Sequence, residues 1–199
     1  IYFTVKKPPP FKCLMIIVSC TTDYGIGYNN TLPWNIPEEL KYFRKITTLV
    51  NNADKINAVI MGKNTWYSIP KSPLKNRINI IISASDYDKI KAENHENVEV
   101  FKNIQDAINH INRTDKIEAG FIIGGSQLYN DVLENYINNI KLVYMSLIID
   151  KNYTCDKYID NRLIYNNFNL FEDNVNVNEK YITMVYENKN KNVLDEPPD

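Results

Sequence analysis

Glu39 is the side chain whose type and position most clearly suit chemistry. Pro37 stands where the first turn of a helix accepts proline, and the acids after it favour a helix from Pro37 to Val50. At about 100° per residue, Glu39 shares one face of this helix with apolar side chains: Ile36, Leu40, Phe43, Ile46 and Val50. A carboxylate on that face must find a partner or a ligand, because an unpaired buried charge is costly.

Two ordinary roles for Glu39 stay open beside a role in a site. An acid in a first turn often only caps its own helix, and it can also pair with a nearby lysine. Trp34, Pro33 and Phe43 lie close in sequence and are suited to walling a pocket. These neighbours favour a site built around Glu39.

The segment before this helix predicts a loop that covers something and moves. Gly25 and Gly27 tolerate backbone angles that other residues avoid, and Asn29-Asn30 is a turn signal. Such a loop is longer than a simple connection between a strand and a helix needs.

Two other junctions are candidate phosphate cradles. Val59-Ile60-Met61-Gly62 and Phe121-Ile122-Ile123-Gly124-Gly125 each read as a buried strand that ends in glycine and leads into a helix. The free amides of a helix N-terminus attract an anion, and Lys63 adds a cation beside the first junction. Two such cradles in one sheet would suit a dinucleotide, although strand-glycine-helix turns also occur for packing alone.

Several other kinds of site are disfavoured. The sequence has no G-x-G-x-x-G, no P-loop and no G-x-S-x-G elbow. We expect His95 and His110 to be exposed surface residues, which disfavours a catalytic triad. Three irregularly spaced cysteines, Cys13, Cys20 and Cys155, argue against a disulfide framework or a zinc site, and we predict no metal.

Composition favours one globular domain in a reducing, cytoplasmic compartment. The chain has 199 residues, of which 44% are hydrophobic, and a formal net charge of −1. Without a basic stripe, neither nucleic acid nor an anionic membrane is the expected partner. No apolar run approaches the ~20 residues of a transmembrane helix.

The elements predicted around these residues alternate between strand and helix. This alternation predicts an α/β single domain with a mostly parallel central sheet, helices on both faces and an antiparallel C-terminal edge strand. We expect an extension over residues 1–12, the domain over 13–188 and a polar tail or linker start over 189–199. The predicted strands are 14–20, 58–61, 77–83, 98–101, 119–123, 139–150, 163–171 and 181–187, and the predicted helices are 37–50, 63–69, 126–133 and one capped by Asn103.

Five motifs together strongly resemble the dihydrofolate reductase family. They are G-I-G-x-x-x-x-L-P-W at 25–34, Glu39 with Phe43, V-I-M-G-K-x-T-W at 59–66, P-L-x-N-R at 73–77, and I-I-G-G-S-x-x-Y at 122–129. The resemblance covers about residues 14–187. It implies a dihydrofolate reductase-like fold and NADPH-dependent reduction of dihydrofolate to tetrahydrofolate, with hydride transfer to C6 and protonation of N5. This reaction supplies one-carbon metabolism and thymidylate synthesis, and antifolates such as methotrexate would bind the site.

The resemblance also implies roles for individual residues. Glu39 would bind the pterin and assist protonation, Trp34 would hold an ordered water nearby, and Ser146 would bond the carboxylate where the family has threonine. Arg77 would bind the substrate's α-carboxylate, for which a guanidinium is geometrically suited. The other implied substrate-binding residues are Val18, Ser19, Phe43, Ile69, Leu74, Ile123 and Tyr129.

For the cofactor, the resemblance implies phosphate contacts from Lys63 and Thr65, a pyrophosphate turn at Gly124 and Gly125, and an adenosine 2′-phosphate site near Ser83. The remaining implied cofactor residues are Ser19, Ile26, Gly27, Asn30, Leu32, Gly62, Asn64, Ala84, Ile123, Ser126, Gln127, Leu128 and Tyr129. Asn64, Ala84 and Gln127 depart from the family's common residues, so the preference for NADPH over NADH follows from the family more than from these positions. Asp156 resembles the acid that steadies the active-site loop.

Two rival functions and one fusion stay open. A reductase of the same fold in riboflavin synthesis would not be expected to need Glu39, Phe43 and Arg77 together. A catalytically silent nucleotide-binding module would bind NADPH without turnover. In some lineages the family is fused to thymidylate synthase, and the polar residues after Asn188 would suit the start of that junction.

Overall fold

The computed structural model describes residues 12–190 of the chain. The predicted N-terminal extension and the predicted tail fall almost entirely outside the described residues. Within them, the strands are β1 Leu14–Thr21, β2 Gly25–Gly27, β3 Ile56–Gly62, β4 Ile78–Ile82, β5 Val98–Phe101, β6 Ile117–Gly124, β7 Ile140–Ile148, β8 Lys157–Tyr158, β9 Phe168–Leu170, β10 Asn176–Val177 and β11 Tyr181–Asn188. The helices are α1 Pro37–Thr48, α2 Lys63–Ser68, α3 Tyr87–Ala92, α4 Ile104–Arg113, α5 Ser126–Asn135 and α6 Asn161–Asn167.

A mostly parallel sheet forms the centre of the domain, as predicted. Its order is β10-β11-β7-β1-β6-β3-β4-β5, with β9 also paired to β11. The strands from β7 to β5 are mutually parallel, and β11 runs antiparallel to β7. The continuous apolar runs explain this arrangement, because strands covered on both faces can be apolar throughout.

Side chains alternate along β1 between two apolar layers, one on each side of the sheet. Leu14, Ile16 and Val18 join the layer that is completed by α4 and α5. Met15 and Ile17 join the layer to which α1, α2 and α3 contribute. The predicted helices on both faces are therefore confirmed, and the carboxyl ends of the parallel strands meet at one edge.

The predicted strand from Leu163 to Phe171 is wrong for most of its length. Residues 161–167 form α6, and only Phe168–Leu170 pairs with β11 as an antiparallel strand. Asp160 caps the helix, since its side chain accepts a hydrogen bond from the backbone N–H of Arg162 at 3.0 Å. A capped helical turn that buries Ile164 is more stable here than the strand that the alternation suggested.

Two smaller differences concern helices. The sequence reasoning missed α3, which has only six residues and therefore too few turns for a clear apolar period. α1 ends at Thr48 instead of Val50, and Leu40 on its predicted apolar face is 49% exposed. None of the helices in residues 12–190 is long and apolar enough to cross a membrane.

Candidate functional site

Glu39 lies buried in the first turn of α1, with 5% of its surface exposed. Its backbone N–H donates to the carbonyl of Ile36 at 3.1 Å, and its side chain does not cap the helix. No lysine, arginine or histidine in the described part of the chain forms an ion pair with it. Neither a capping bond nor an ion pair of Glu39 is therefore observed in the described part of the chain.

Burial raises the pKa of Glu39, and the Ser146 hydroxyl opposes this shift through a hydrogen bond. Ser146 reaches Glu39 from β7, where it is buried and lies opposite Ser19 of the adjacent parallel strand β1. The sequence predicted this hydroxyl only by resemblance, because the partner of a helix residue on a distant strand depends on the sheet order.

Two polar atoms near this carboxylate have no hydrogen-bond partner among the described residues. Ser19 Oγ is buried next to Ser146 across the strands, and Trp34 Nε1 is buried in the apolar cluster that contains Ile36. Trp34 packs edge-to-face against Tyr153, with ring centroids 5.6 Å apart. Buried polar atoms normally have partners, so these two mark a place that suits a polar ligand.

Arg77 provides the opposite charge and is only 4% exposed. Its Nη1 donates to Thr47 Oγ1 at 3.0 Å, its Nε donates to the carbonyl of Lys75 at 2.9 Å, and its guanidinium lies 6.0 Å from the ring centroid of Phe43. Burial and the nearby Arg44 lower the pKa of Arg77 to about 10, so it stays charged at neutral pH. No carboxylate of residues 12–190 pairs with it.

Asn79 holds the segment that presents Arg77, and the sequence reasoning missed it. Its Oδ1 accepts from the N–H of Leu74 at 2.8 Å, while its Nδ2 donates to the carbonyls of Leu74 at 3.0 Å and Arg77 at 3.1 Å. A fully buried asparagine inside the otherwise apolar strand β4 was the available signal, because such a group must bond to backbone. Thr47, which accepts from Arg77, was missed too.

The two glycine junctions lie side by side, as two cradles for one ligand would require. Met61 pairs with Gly124 across β3 and β6, and a Cβ at Gly125 would lie 3.5 Å from Thr65 Oγ1. Gly124 has φ +116°, which L side chains rarely adopt, and a Cβ there would be 3.1 Å from the Tyr129 ring. The Tyr129 hydroxyl donates to the carbonyl of Ile17 in β1 at 2.7 Å, which fixes α5 against the sheet.

Lys63, the first residue of α2, makes two polar contacts at the end of β4. Its Nζ donates to Ser85 Oγ at 2.8 Å and to Asp86 Oδ1 at 3.0 Å. Ser83 Oγ is buried and accepts from the N–H of Asp86 at 3.0 Å. The neighbouring Asn64 and Ala84 are exposed and uncharged.

The predicted loop contains a strand that the sequence reasoning did not anticipate. Gly25–Gly27 pairs with Lys157–Tyr158, and a Cβ at Gly25 would lie 2.5 Å from the Cys155 side chain, so this glycine allows the partner segment to approach closely. Asn29 and Asn30 have φ angles of 49° and 60°, which agrees with the turn signal. Asp156 Oδ2 accepts from the N–H of Asn29 at 3.0 Å, and the N–H of Asp156 donates to the carbonyl of Gly27 at 2.9 Å.

The other predicted residues divide by burial. The exposed group is Asn30, Leu32 and Gln127; the partly buried group is Gly27, Phe43, Gly62, Ile69, Leu74, Ile123 and Ser126; and the buried group is Val18, Ile26 and Leu128.

The expectation for the histidines was wrong in part. His95 is exposed, whereas His110 is partly buried. Nε2 of His110 lies 2.5 Å from Glu99 Oε2, and its ring centroid lies 5.1 Å from that of Phe101.

Comparisons with known proteins are consistent with one another. The family model described as "Dihydrofolate reductase" matches residues 13–190. The chain is 35% identical to a dihydrofolate reductase of Heliothis virescens over 74% of this chain and 79% of that protein. It is 36% identical to the dihydrofolate reductase of Saccharomyces cerevisiae over 72% of this chain and 71% of that protein. It is also 35% identical to an Arabidopsis thaliana bifunctional dihydrofolate reductase-thymidylate synthase, over 78% of this chain and 27% of that longer protein.

Proposed function

Because the chain belongs to the dihydrofolate reductase family, we propose that its site reduces dihydrofolate to tetrahydrofolate with NADPH and that the residues described above divide this work. The chain is an oxidoreductase that uses a nicotinamide cofactor.

One observation carries the assignment of the substrate: two opposite charges, Glu39 and Arg77, are buried near the same aromatic ring, and neither forms an ion pair within residues 12–190. Glu39 and Phe43 are one helical turn apart on α1, and the Arg77 guanidinium lies 6.0 Å from the centroid of the Phe43 ring. Leaving both charges unpaired is costly unless a ligand satisfies them. Dihydrofolate fits, since it carries a pterin that binds a carboxylate at one end and a glutamate carboxylate at the other.

Glu39 orients the pterin and promotes protonation of N5. Its carboxylate accepts hydrogen bonds from the pterin amino group and ring nitrogen, and its negative charge increases the tendency of N5 to take a proton from water. Ser146 holds the carboxylate in place and limits the rise in its pKa. Trp34 Nε1 donates to the water that supplies the proton.

Arg77 binds the glutamate end of the substrate. Two of its nitrogens are already fixed by Thr47 and by the Lys75 carbonyl, which orients the guanidinium plane before substrate arrives. Phe43, Ile69 and Leu74 form the apolar walls between the two charged ends. This arrangement selects substrates by length as well as by charge.

The two adjacent glycine turns and the unpaired Ser19 hydroxyl fit a nicotinamide dinucleotide. Gly124 and Gly125 would bring backbone amides close to the pyrophosphate, which the N-terminus of α5 would attract. Lys63 and Thr65 would contact phosphate, and Ser19, Ile123 and Tyr129 would contact the nicotinamide. When bound, the cofactor supplies the hydride that reduces C6 of the substrate.

The loop over residues 25–33 closes the site and excludes water. Asp156 steadies its closed form through the contacts to Gly27 and Asn29. Opening this loop lets product leave, so its motion contributes to the turnover rate.

The proposed domain covers residues 13–188, and the polar residues 189–199 are a tail or the start of a linker. Relatives include bifunctional dihydrofolate reductase-thymidylate synthases, which supports a fused or associated thymidylate synthase. The enzyme acts in the cytoplasm.

The test is the loss of reduced-nicotinamide absorbance when purified protein is mixed with NADPH and dihydrofolate. We expect turnover that methotrexate inhibits and that Glu39→Gln largely removes. Saturable NADPH binding without turnover would instead identify a silent nucleotide-binding module. Turnover of a riboflavin-pathway pyrimidine, with none of dihydrofolate, would replace the substrate assignment.

A further inference from the structure

Lys63, the cation proposed to contact the cofactor's phosphate, forms an ion pair with the acidic side chain of Asp86. Lys63 Nζ donates to Asp86 Oδ1 at 3.0 Å, and both residues lie where β3 and β4 end at the same edge of the sheet. Lys63 is therefore already paired before any ligand binds. This contact could not be read from the sequence, where the two residues are 23 positions apart.

The Asp86 carboxylate is held in a fixed position by three side-chain donors. Ser85 Oγ donates to Oδ1 at 2.7 Å, Tyr67 OH donates to Oδ2 at 3.1 Å, and Lys63 provides the third bond. The Ser85 and Lys63 bonds lower the pKa of Asp86 to about 2, so it is ionised at neutral pH.

Three lysines lie near this corner of the described structure, and none of them forms an ion pair with Asp86. Lys91 and Lys102 lie over the ring of Tyr87, each with Nζ 5.1 Å from the centroid. Lys89 lies over the ring of Tyr67, with Nζ 4.9 Å from the centroid. Asn64 and Ala84, which flank the cluster in sequence, carry no charge. Asp86 therefore cancels the one cation that contacts it, and a 2′-phosphate with a charge of about −2 would be repelled by the same carboxylate.

An unphosphorylated ribose would meet different conditions. A ribose hydroxyl can donate to a carboxylate, and an acidic residue at the adenosine ribose is the usual means of accepting NAD, whereas a free cation accommodates the 2′-phosphate. We propose that Asp86 is a specificity-determining residue that weakens the enzyme's discrimination in favour of the 2′-phosphate and admits NADH beside NADPH. This inference rests on the proposed function, because it takes the adenosine end of the cofactor to lie against Lys63.

Asp86→Asn tests this assignment without requiring turnover. The side chain of Asp86 makes no capping bond to α3, so asparagine should leave that helix intact. Binding of 2′,5′-ADP and of 5′-ADP to the full chain is measured by calorimetry for the wild type and the variant. Asp88→Asn is the matched control, because it removes an equal charge. Asp88 lies two residues after Asp86, is exposed and is outside the cluster.

We expect Asp86→Asn to strengthen 2′,5′-ADP binding by about tenfold or more, the scale of one charge-assisted hydrogen bond regained by Lys63, while 5′-ADP binding stays equal or weakens. Asp88→Asn should change either affinity by less than about twofold. In the wild type, the two dissociation constants should lie within about tenfold of each other, a comparison that does not depend on any variant folding.

Two results would refute the role of Asp86 while leaving the proposed function intact. One is an equal effect of Asp86→Asn on both nucleotides, and the other is a wild type that binds 2′,5′-ADP several hundred times more tightly than 5′-ADP. Absence of binding by either nucleotide to every protein would show that the cofactor placement itself is wrong. The ratio of kcat/KM for NADPH and NADH then gives a second reading, which should shift toward NADPH in Asp86→Asn.

Discussion

Replacing Glu39 by glutamine should abolish most activity and yet stabilise the ligand-free protein. The change keeps the size of the side chain and an acceptor for Ser146 but removes the buried charge. Activity should fall because glutamine is neutral. It has no negative charge with which to bind the pterin or to increase the proton affinity of N5. Loss of a positioned acid–base group typically lowers kcat/KM by about 10²–10⁴-fold.

The stability effect follows from the raised pKa of Glu39. A raised pKa means that the folded state holds this proton more tightly than the unfolded chain does. The stabilisation is therefore complete below the unfolded pKa and is lost as pH rises through the folded pKa. At a pH above the folded pKa, the wild type bears the whole cost of the buried carboxylate, which glutamine removes.

We expect a gain of about 1–3 kcal/mol, the usual cost of a buried polar group without its full set of partners. In a chain of this size, each kcal/mol raises Tm by about 2–4 °C. Thermal unfolding of both ligand-free proteins between acid and neutral pH measures this difference. The difference should grow as pH rises through the folded pKa of Glu39 and vanish below the unfolded pKa, where both side chains are neutral.

Glu38→Gln is the control, because Glu38 lies in the same helical turn but is exposed. It should alter stability by less than about 0.5 kcal/mol and leave turnover unchanged. A Glu39→Gln protein that is less stable than the wild type at neutral pH would refute the claim that the carboxylate is buried without compensation. Full turnover by that variant would remove Glu39 from the mechanism.

Three further predictions concern Ser146, Arg77 and Gly124. Ser146→Ala removes the hydrogen bond that opposes the effect of burial, so the pKa of Glu39 should rise further; the acid limb of the pH profile of kcat/KM should move to higher pH, and Ser146→Thr should restore it. Arg77→Met should raise KM for dihydrofolate by about 10–100-fold, the loss of a charge-assisted bidentate contact; dihydropteroate, which lacks the glutamate, should show little change, and an equal rise for both substrates would contradict the assignment. Gly124→Ala must place a Cβ 3.1 Å from the Tyr129 ring at φ +116°; it should lower stability by about 1 kcal/mol or more and weaken NADPH binding, whereas unaltered binding in a folded variant would mean that the turn does not contact the cofactor.

Much of the fold was predictable because local signals and the tertiary structure agree. Continuous apolar runs identified the parallel strands, and Asn103 predicted the start of α4, where its side chain accepts from the N–H of Asp106 at 2.9 Å. Predictions failed where the local signal was short or ambiguous. α3 has six residues, and alternation in residues 163–171 resembled a strand although a capped helical turn was more stable.

The candidate site divides in the same way. Periodicity placed Glu39 on the inner face of α1, and the glycine junctions pointed to adjacent turns. No local pattern could connect Glu39 with Ser146, which lies 107 positions later, because that contact depends on β7 lying next to β1. The roles of Asn79 and Thr47 were missed because each acts through the position of Arg77.

The sequence by itself determined the class of fold, the family and the residue types of the site, since periodicity, glycine turns and motifs depend on neighbouring positions along the chain. Only the tertiary structure decided which charges are compensated. Within residues 12–190, it left Glu39 and Arg77 buried without ion-pair partners and gave Lys63 the partner Asp86. The physical reason is that a charge is stabilised by what lies within a few ångströms in space, and sheet order, which brings distant segments together, sets those distances.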